Sequence, residues 1–249
     1  MTEEFDVATA AGTLLQVWGG GSRPAGLPVS PPDTEAAYAV QRAVIRELGS
    51  GAWKMALLAG RDQHAAALPG RLVVASGETL PPLPHDACIE VETALILGTD
   101  LHPGTDPDRV MTAIGEVRLC FEIVASRFAD RKAVHPLEAM ADAFSSGGIV
   151  LGDALDNWRN ALGGLLGIRL WLDDQPVDAS ETRQSLDDAL SFLSWLADHA
   201  AEQGVPLRKG DVVITGARLG PLPLKNAGTA RASAGGAEVA VKLMPAVRG

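Results

Sequence analysis

The chain has 249 residues, 47% of them hydrophobic, which is enough to bury one large core or two small ones and too apolar for global disorder. A formal net charge of -10 with scattered basic residues argues against a surface built to neutralise nucleic-acid phosphates, and no segment approaches the ~20 apolar residues that cross a bilayer. Aromatic residues make up only 4%, so Leu, Val, Ile and Ala must pack the core, while 27 glycines and 16 prolines imply many turns, as in short strands joined by loops.

Met1, Thr2, Glu3 and Glu4 open the chain without the basic region and apolar run of a signal peptide, so the expected compartment is the cytoplasm. From Val7 to Trp18 apolar residues recur at helical spacing, and Gly19, Gly20 and Gly21 end the run. After a Pro- and Gly-rich loop, Asp33 or Thr34 caps a second helix with Ala37, Val40, Val44 and Leu48 on one face and Gly49 at its end. Signals between Trp53 and Leu80 are mixed, with one strand expected at Arg71 to Ala75. These features predict a helical amino-terminal portion, residues 1-78, packed on a β-rich domain, residues 79-249.

Within that domain a strand is expected from Ala87 to Leu97, a short helix opening at Asp106 and Pro107, and a strand from Val117 to Ser126. One or two helical turns follow from Pro136 to Ala143, then a strand at Ile149 to Leu151 and a hairpin about Asp173 and Asp174. Ser185, with Asp188 three residues on, starts the most regular helix, which Gly204 ends. Strands at Asp211 to Thr215 and Glu238 to Leu243 flank a Gly- and Pro-rich stretch, and the architecture is α+β with a mixed, largely antiparallel sheet and peripheral helices. Cys88 and Cys120 both fall in apolar stretches, which predicts free thiols in place of a disulfide.

Glu90 and Glu92 lie two residues apart on one strand, hence on the same face with Cα atoms about 7 Å apart. Either that face is an exposed edge with solvated charges or a cation compensates the pair. Glu122 lies inside the apolar run Leu119 to Val124 and needs a partner. It forms a structural ion pair with Arg127 or Arg118, or joins the first two carboxylates as a third ligand. Three carboxylates are hard ligands that suit Mg²⁺ or Mn²⁺.

Several ordered segments carry a resemblance: Tyr38 to Gln41, Ile89 to Ala94, Phe121 to Arg127, Ala141-Asp142 with Ser145-Ser146-Gly147, and Pro206 to Gly216. Together they resemble the 2-keto-4-pentenoate hydratase and 4-oxalocrotonate decarboxylase family, within the fumarylacetoacetate hydrolase superfamily. The resemblance implies that superfamily's carboxy-terminal-domain roll and a metal held by Glu90, Glu92 and Glu122. It places Lys54, Ser145 and Asp142 as catalytic candidates, although by residue type alone Lys54 reads as a solvated surface lysine. It further implies a lyase acting on a small anionic 2-oxo or 2-hydroxydienoic acid, by hydration of 2-hydroxypenta-2,4-dienoate or by decarboxylation of a 4-oxalocrotonate-type acid. Homo-oligomers, and association with a pathway partner enzyme, belong to the same implication.

The chain departs from that pattern at Ala143, where the family has Asn, at Leu68 to Leu72, where it has an acid before Gly, and at Ala56, where it has Gly. His64 and Asp62 are the reserve candidates for a general base. The departures also admit a repurposed, non-catalytic scaffold that assembles with an active partner. No histidine precedes His64, which argues against the His and Glu dyad of the superfamily's carbon–carbon hydrolases.

Overall fold

In the computed structural model, which describes residues 4-58 and 62-245, two capped helices come first. Asp6 accepts from the Thr9 amide to start α1, Val7–Trp18, and Asp33 accepts from the Ala36 amide to start α2, Thr34–Leu48. Ala10 and Leu14 of α1 pack with Ala37, Val40 and Val44 of α2 in a cluster separate from the main core.

Beyond Gly49 the structure departs from the expectation. Where sequence signals are mixed, β1, Ala52–Leu58, and β2, Asp62–Leu68, pair antiparallel. Alanine-rich β2 has little intrinsic strand preference, yet Ala65, Ala66 and Ala67 are buried, and pairing with β1 makes the segment a strand. A 3-10 turn at Gly70–Leu72 delays β3 to Val73–Ala75, and β4, Thr79–Leu80, follows.

The next elements are β5, Cys88–Leu97, α3, Pro107–Ala113, and β6, Ile114–Val124. β6 starts three residues before the expected Val117 because α3 runs into it without a loop. Then come α4, Pro136–Ala141, β7, Ser146–Ala154, α5, Trp158–Leu162, and the hairpin β8, Arg169–Leu172, with β9, Gln175–Val177. Ser185 caps α6, Leu186–Glu202. The chain continues through β10, Val212–Ile214, β11, Leu219–Pro223, β12, Thr229–Ala234, and β13, Ala237–Leu243.

The large sheet runs β2-β1-β10-β5-β6-β7-β3, with β11 also paired to β5, and the second sheet runs β4-β13-β12-β8-β9. Among the described residues only β1–β10, β3–β7 and β4–β13 pair in parallel, so the fold is α+β with a mixed, largely antiparallel sheet and helices at its margins. The large sheet thus begins at Ala52, inside the portion the sequence presents as helical. One face of it (Trp53, Ile89, Val91, Leu95, Phe121, Ile123) buries against the second sheet and α6 in the main core. Alternation along the strands turns Lys54, Glu90, Glu92 and Glu122 to the other face.

Candidate metal centre

β5 and β6 set the centre by register. Glu90 stands directly opposite Glu122, and Glu92 directly opposite Cys120, so three carboxylates and one thiol share a face. One oxygen of each glutamate lies within 4.8 Å of the others. None is solvated: Glu90 is 9% exposed, Glu92 and Glu122 are 0%, which removes the exposed-edge alternative. Glu122 pairs with neither Arg127 nor Arg118. Those arginines bind Asp142 and Glu116, and Glu122 instead accepts 2.8 and 2.7 Å hydrogen bonds from Lys54 Nζ.

The other edge of β5 is where the site opens. β10 pairs with it through Ile214 opposite Ala94, and β11 resumes at Leu219 opposite Val91, so the intervening residues bulge away opposite Glu92. Gly216, at φ 96°, a backbone angle that suits glycine, turns its N–H to Glu92 Oε2 at 2.8 Å. The Gln184 side chain fixes that bulge, donating to Gly216 O at 3.0 Å and accepting from Arg218 Nε at 3.1 Å. Fully buried Arg218 in turn holds Glu181, Gly164 O and Ala161 O.

The electrostatics follow from burying like charges together. Burial, then Glu122, pushes Glu90 up to about 7 against the pull of Lys54. Burial, Glu122 and Glu90 hold Glu92 well above the usual carboxylate range. Burial alone would lower the Lys54 ammonium, but Glu122, Glu90 and Glu92 together keep it above its ordinary value. Burial and the neighbouring glutamates also push the Cys120 thiol up. Glu92 Oε1 is buried with no hydrogen-bond partner among the described residues. An orphaned oxygen amid three converging carboxylates is what a hard divalent cation satisfies, so the residues fit such an ion. Next to it opens a cavity of about 460 Å³, whose lining includes Lys54, Glu90 and Glu92 together with residues 182-185, Asp188 and Phe192.

The structure does not bring every sequence candidate to this cavity. Asp142 lines a separate small cavity, buried beneath Arg127, and accepts from Ser126 Oγ at 2.7 Å and from the Arg127 amide at 3.1 Å. With the Arg127 guanidinium over Trp18 at 4.6 Å, this pair knits α1 to the loop after β6. Ser145 is buried in a turn of three left-handed residues, Ala143, Phe144 and Ser145, whose first two members pack against the patch holding Cys120 and Ile149. Neither His64 nor Asp62 lines the cavity, and His64 Nδ1 lies 3.2 Å from Tyr38 Oη. What sequence reasoning missed is Arg183 and Gln184 in the cavity lining, and the buried Arg218 that holds Gln184 from behind it. The only local signal is Arg218, a charge within a Gly- and Pro-rich stretch.

Residues 42-244 match the model of the family described as fumarylacetoacetate hydrolase C-terminal. The chain is 30% identical over 230 residues to a 2-keto-4-pentenoate hydratase from Paraburkholderia xenovorans, covering 86% of this chain and 85% of that one. It is 28% identical over 139 residues to a 4-oxalocrotonate decarboxylase from Pseudomonas sp, covering 55% and 52%. The fold resembles that of the 4-oxalocrotonate decarboxylase from Pseudomonas putida G7 complexed with magnesium and adipate, with a TM-score of 0.75 and 19% identity over 96% of this chain and 97% of that one.

Proposed function

Since the chain belongs to the fumarylacetoacetate hydrolase C-terminal family, we propose that it is a divalent-metal-dependent lyase acting on a small 2-oxo or 2-hydroxydienoic acid. The leading reaction is hydration of 2-hydroxypenta-2,4-dienoate to 4-hydroxy-2-oxopentanoate, as the names of the full-length relatives suggest. The observation that carries it is the buried trio Glu90, Glu92 and Glu122, with Glu92, whose Oε1 is unpartnered among the described residues, in the lining of a cavity of ligand size. Mg²⁺ or Mn²⁺ suits this all-oxygen set, and magnesium accompanies the dicarboxylate adipate in the decarboxylase of similar fold.

When bound, the cation supplies Lewis-acid stabilisation of the negative charge that gathers on the 2-oxo oxygen as the dienol ketonises. Glu90, Glu92 and Glu122 would hold it, and the Gly216 N–H fixes the Glu92 carboxylate through Oε2. Lys54 Nζ, charged, 2.7 Å from Glu122 and in the cavity lining, would move a proton or add positive charge beside the enolate. Met55, Leu57, Ala189 and Phe192 give the cavity an apolar wall against which a diene packs. Hydration then places the hydroxyl of one water on C4 and its proton on C3 of the conjugated alkene. Decarboxylation of a 4-oxalocrotonate-type acid is the second reading, favoured by a cationic side chain, Arg183, at the cavity wall.

The test is to follow the ultraviolet absorbance of the dienol with enzyme and Mg²⁺, identifying the product by mass. Decay with gain of one water, abolished by EDTA, is expected. Decay that persists in a chelated, metal-free sample refutes the metal dependence, and no turnover of any 2-hydroxydienoate refutes the lyase.

A further inference from the structure

The Thr215–Gly216 peptide is held from both sides. Its N–H donates to Glu92 Oε2 at 2.8 Å, and its C=O accepts from Gln184 Nε2 at 3.4 Å. A trans peptide plane carries its N–H and C=O in opposite directions, so whatever fixes the carbonyl also aims the amide. Gln184 Nε2 reaches the next carbonyl as well, Gly216 O, at 3.0 Å. The ladder to β5 ties the bulge at its ends, where the Thr215 amide donates to Thr93 O at 3.2 Å and the Arg218 amide to Val91 O at 2.9 Å. Between those ends the half-buried Gln184 side chain sets the orientation of the peptide.

Gln184 is itself fixed. Arg218 Nε donates to its Oε1 at 3.1 Å, and because a guanidinium only donates, this bond decides which end of the amide is the oxygen. Arg218 is fully buried and anchored on Gly164 O at 2.9 Å, Ala161 O at 2.6 Å and Glu181 Oε1 at 3.2 Å. Glu181 in turn accepts from the amides of Leu166, Gly167 and Ile168. A continuous hydrogen-bonded chain thus runs from the loop before β8 to one carboxylate of the metal centre.

That chain decides how Glu92 can bind a cation. With Oε2 engaged by Gly216, Glu92 keeps Oε1, buried and unpartnered among the described residues, for an ion. Both oxygens of Glu122 likewise accept from Lys54, at 2.8 and 2.7 Å. Carboxylates oriented in this way favour one-oxygen ligation. Mg²⁺ demands near-octahedral geometry, which such ligands suit, whereas Ca²⁺ takes more ligands at longer range and gains from carboxylates that offer both oxygens.

We propose that Gln184 is a positioning residue of the metal centre: by aiming the Thr215–Gly216 peptide it confines Glu92 to one-oxygen ligation and gives the site a preference for Mg²⁺ over Ca²⁺. This rests on the metal-centred reading of Glu90, Glu92 and Glu122 given above. Gln184 acts through the Gly216 amide, and losing an outer partner of this kind costs about tenfold or more in metal affinity. A freed Glu92 carboxylate can turn and offer both oxygens, so the loss falls on Mg²⁺ and spares Ca²⁺.

The experiment is calorimetric titration of the metal-free full chain with MgCl₂ and, separately, with CaCl₂, in the absence of substrate. Wild type is expected to bind Mg²⁺ more tightly than Ca²⁺. Two variants are compared with it: Gln184→Ala, and Gln184→Glu, which keeps an acceptor for Arg218 Nε but has no amide donor for the two carbonyls. Each should weaken Mg²⁺ binding about tenfold while Ca²⁺ affinity holds, and the retained Ca²⁺ binding certifies that the variant is folded. Equal loss of both ions, Mg²⁺ affinity unchanged in both variants, or a wild type that binds Ca²⁺ at least as tightly as Mg²⁺ overturns the role of Gln184 and leaves the metal reading standing. If wild type binds neither ion, the metal reading itself fails and takes this proposal with it.

Discussion

Glu92→Gln is expected to make the metal-free protein more stable and the metal-loaded protein less so. Three carboxylates converge to within 4.8 Å while one ammonium, Lys54, compensates them. At an effective dielectric constant of about 20, two full charges at that separation repel by about 3.5 kcal/mol. Partial protonation relieves some of this, so deleting one charge should gain about 2 kcal/mol. Glutamine keeps an acceptor for the Gly216 amide, so the bulge need not move. In a chain of this length 2 kcal/mol raises the melting temperature by about 4–8 °C. Divalent cation at a hundredfold excess over its dissociation constant adds about 2.7 kcal/mol to wild type and nothing to a variant that does not bind it. Thermal unfolding in EDTA and in MgCl₂ should therefore show the two proteins exchanging rank. A Gln variant less stable than wild type in EDTA would mean that Glu92 is a structural partner of Lys54, and the reasoning from buried repulsion would be wrong.

Lys54→Met should retain metal binding by calorimetry and lose about a hundredfold or more in kcat, and undiminished turnover would reduce Lys54 to a counter-ion of Glu122. Ala143, at φ 48°, occupies a left-handed conformation that asparagine tolerates better, so Ala143→Asn should stabilise by about 1 kcal/mol in urea unfolding, and a loss would show that the site lacks room for the amide. Stability should also fall in mild acid through His199. Burial, and then His64 and Arg42, hold it at about 4 against the pull of Glu35, with Nε2 unpartnered among the described residues and the ring stacked on Trp195. The unfolded chain takes up that proton near pH 6.5 and the folded chain only near 4, so the contribution is complete above 6.5 and is lost as pH falls through that window. Between pH 7 and 5 the loss is about 2 kcal/mol. Urea midpoints of wild type and His199→Phe should differ in this slope, and equal slopes would clear His199 of the effect.

The strands that carry the metal face were legible because their residues announce them. Ile, Val, Thr and Leu surround Glu90, Glu92 and Glu122, and a buried acid in such a run has few explanations. The helices were legible from their caps, Asp33 and Ser185, and from apolar spacing. β2 and β12 were not, since Asp62–Leu68 and Thr229–Ala234 are rich in alanine and become strands through pairing and burial, not propensity. β11 was hidden in a Gly- and Pro-rich stretch that reads as loop, because its bulge against β5 needs those residues. The partner of Glu122 escaped for a different reason: Lys54 is 68 residues away, and only the β1–β10–β5–β6 order brings them together. Asp142 was drawn toward the cavity by its resemblance to a family motif, whereas its geometry is that of a brace for Arg127.

The most direct test of the central claim is anomalous diffraction from crystals grown with Mn²⁺. One strong peak bounded by carboxylate oxygens of Glu90, Glu92 and Glu122, and absent in Glu122→Gln, is the expected result. Electron density showing Lys54 Nζ filling the space among the three carboxylates, with no manganese peak there, would contradict it.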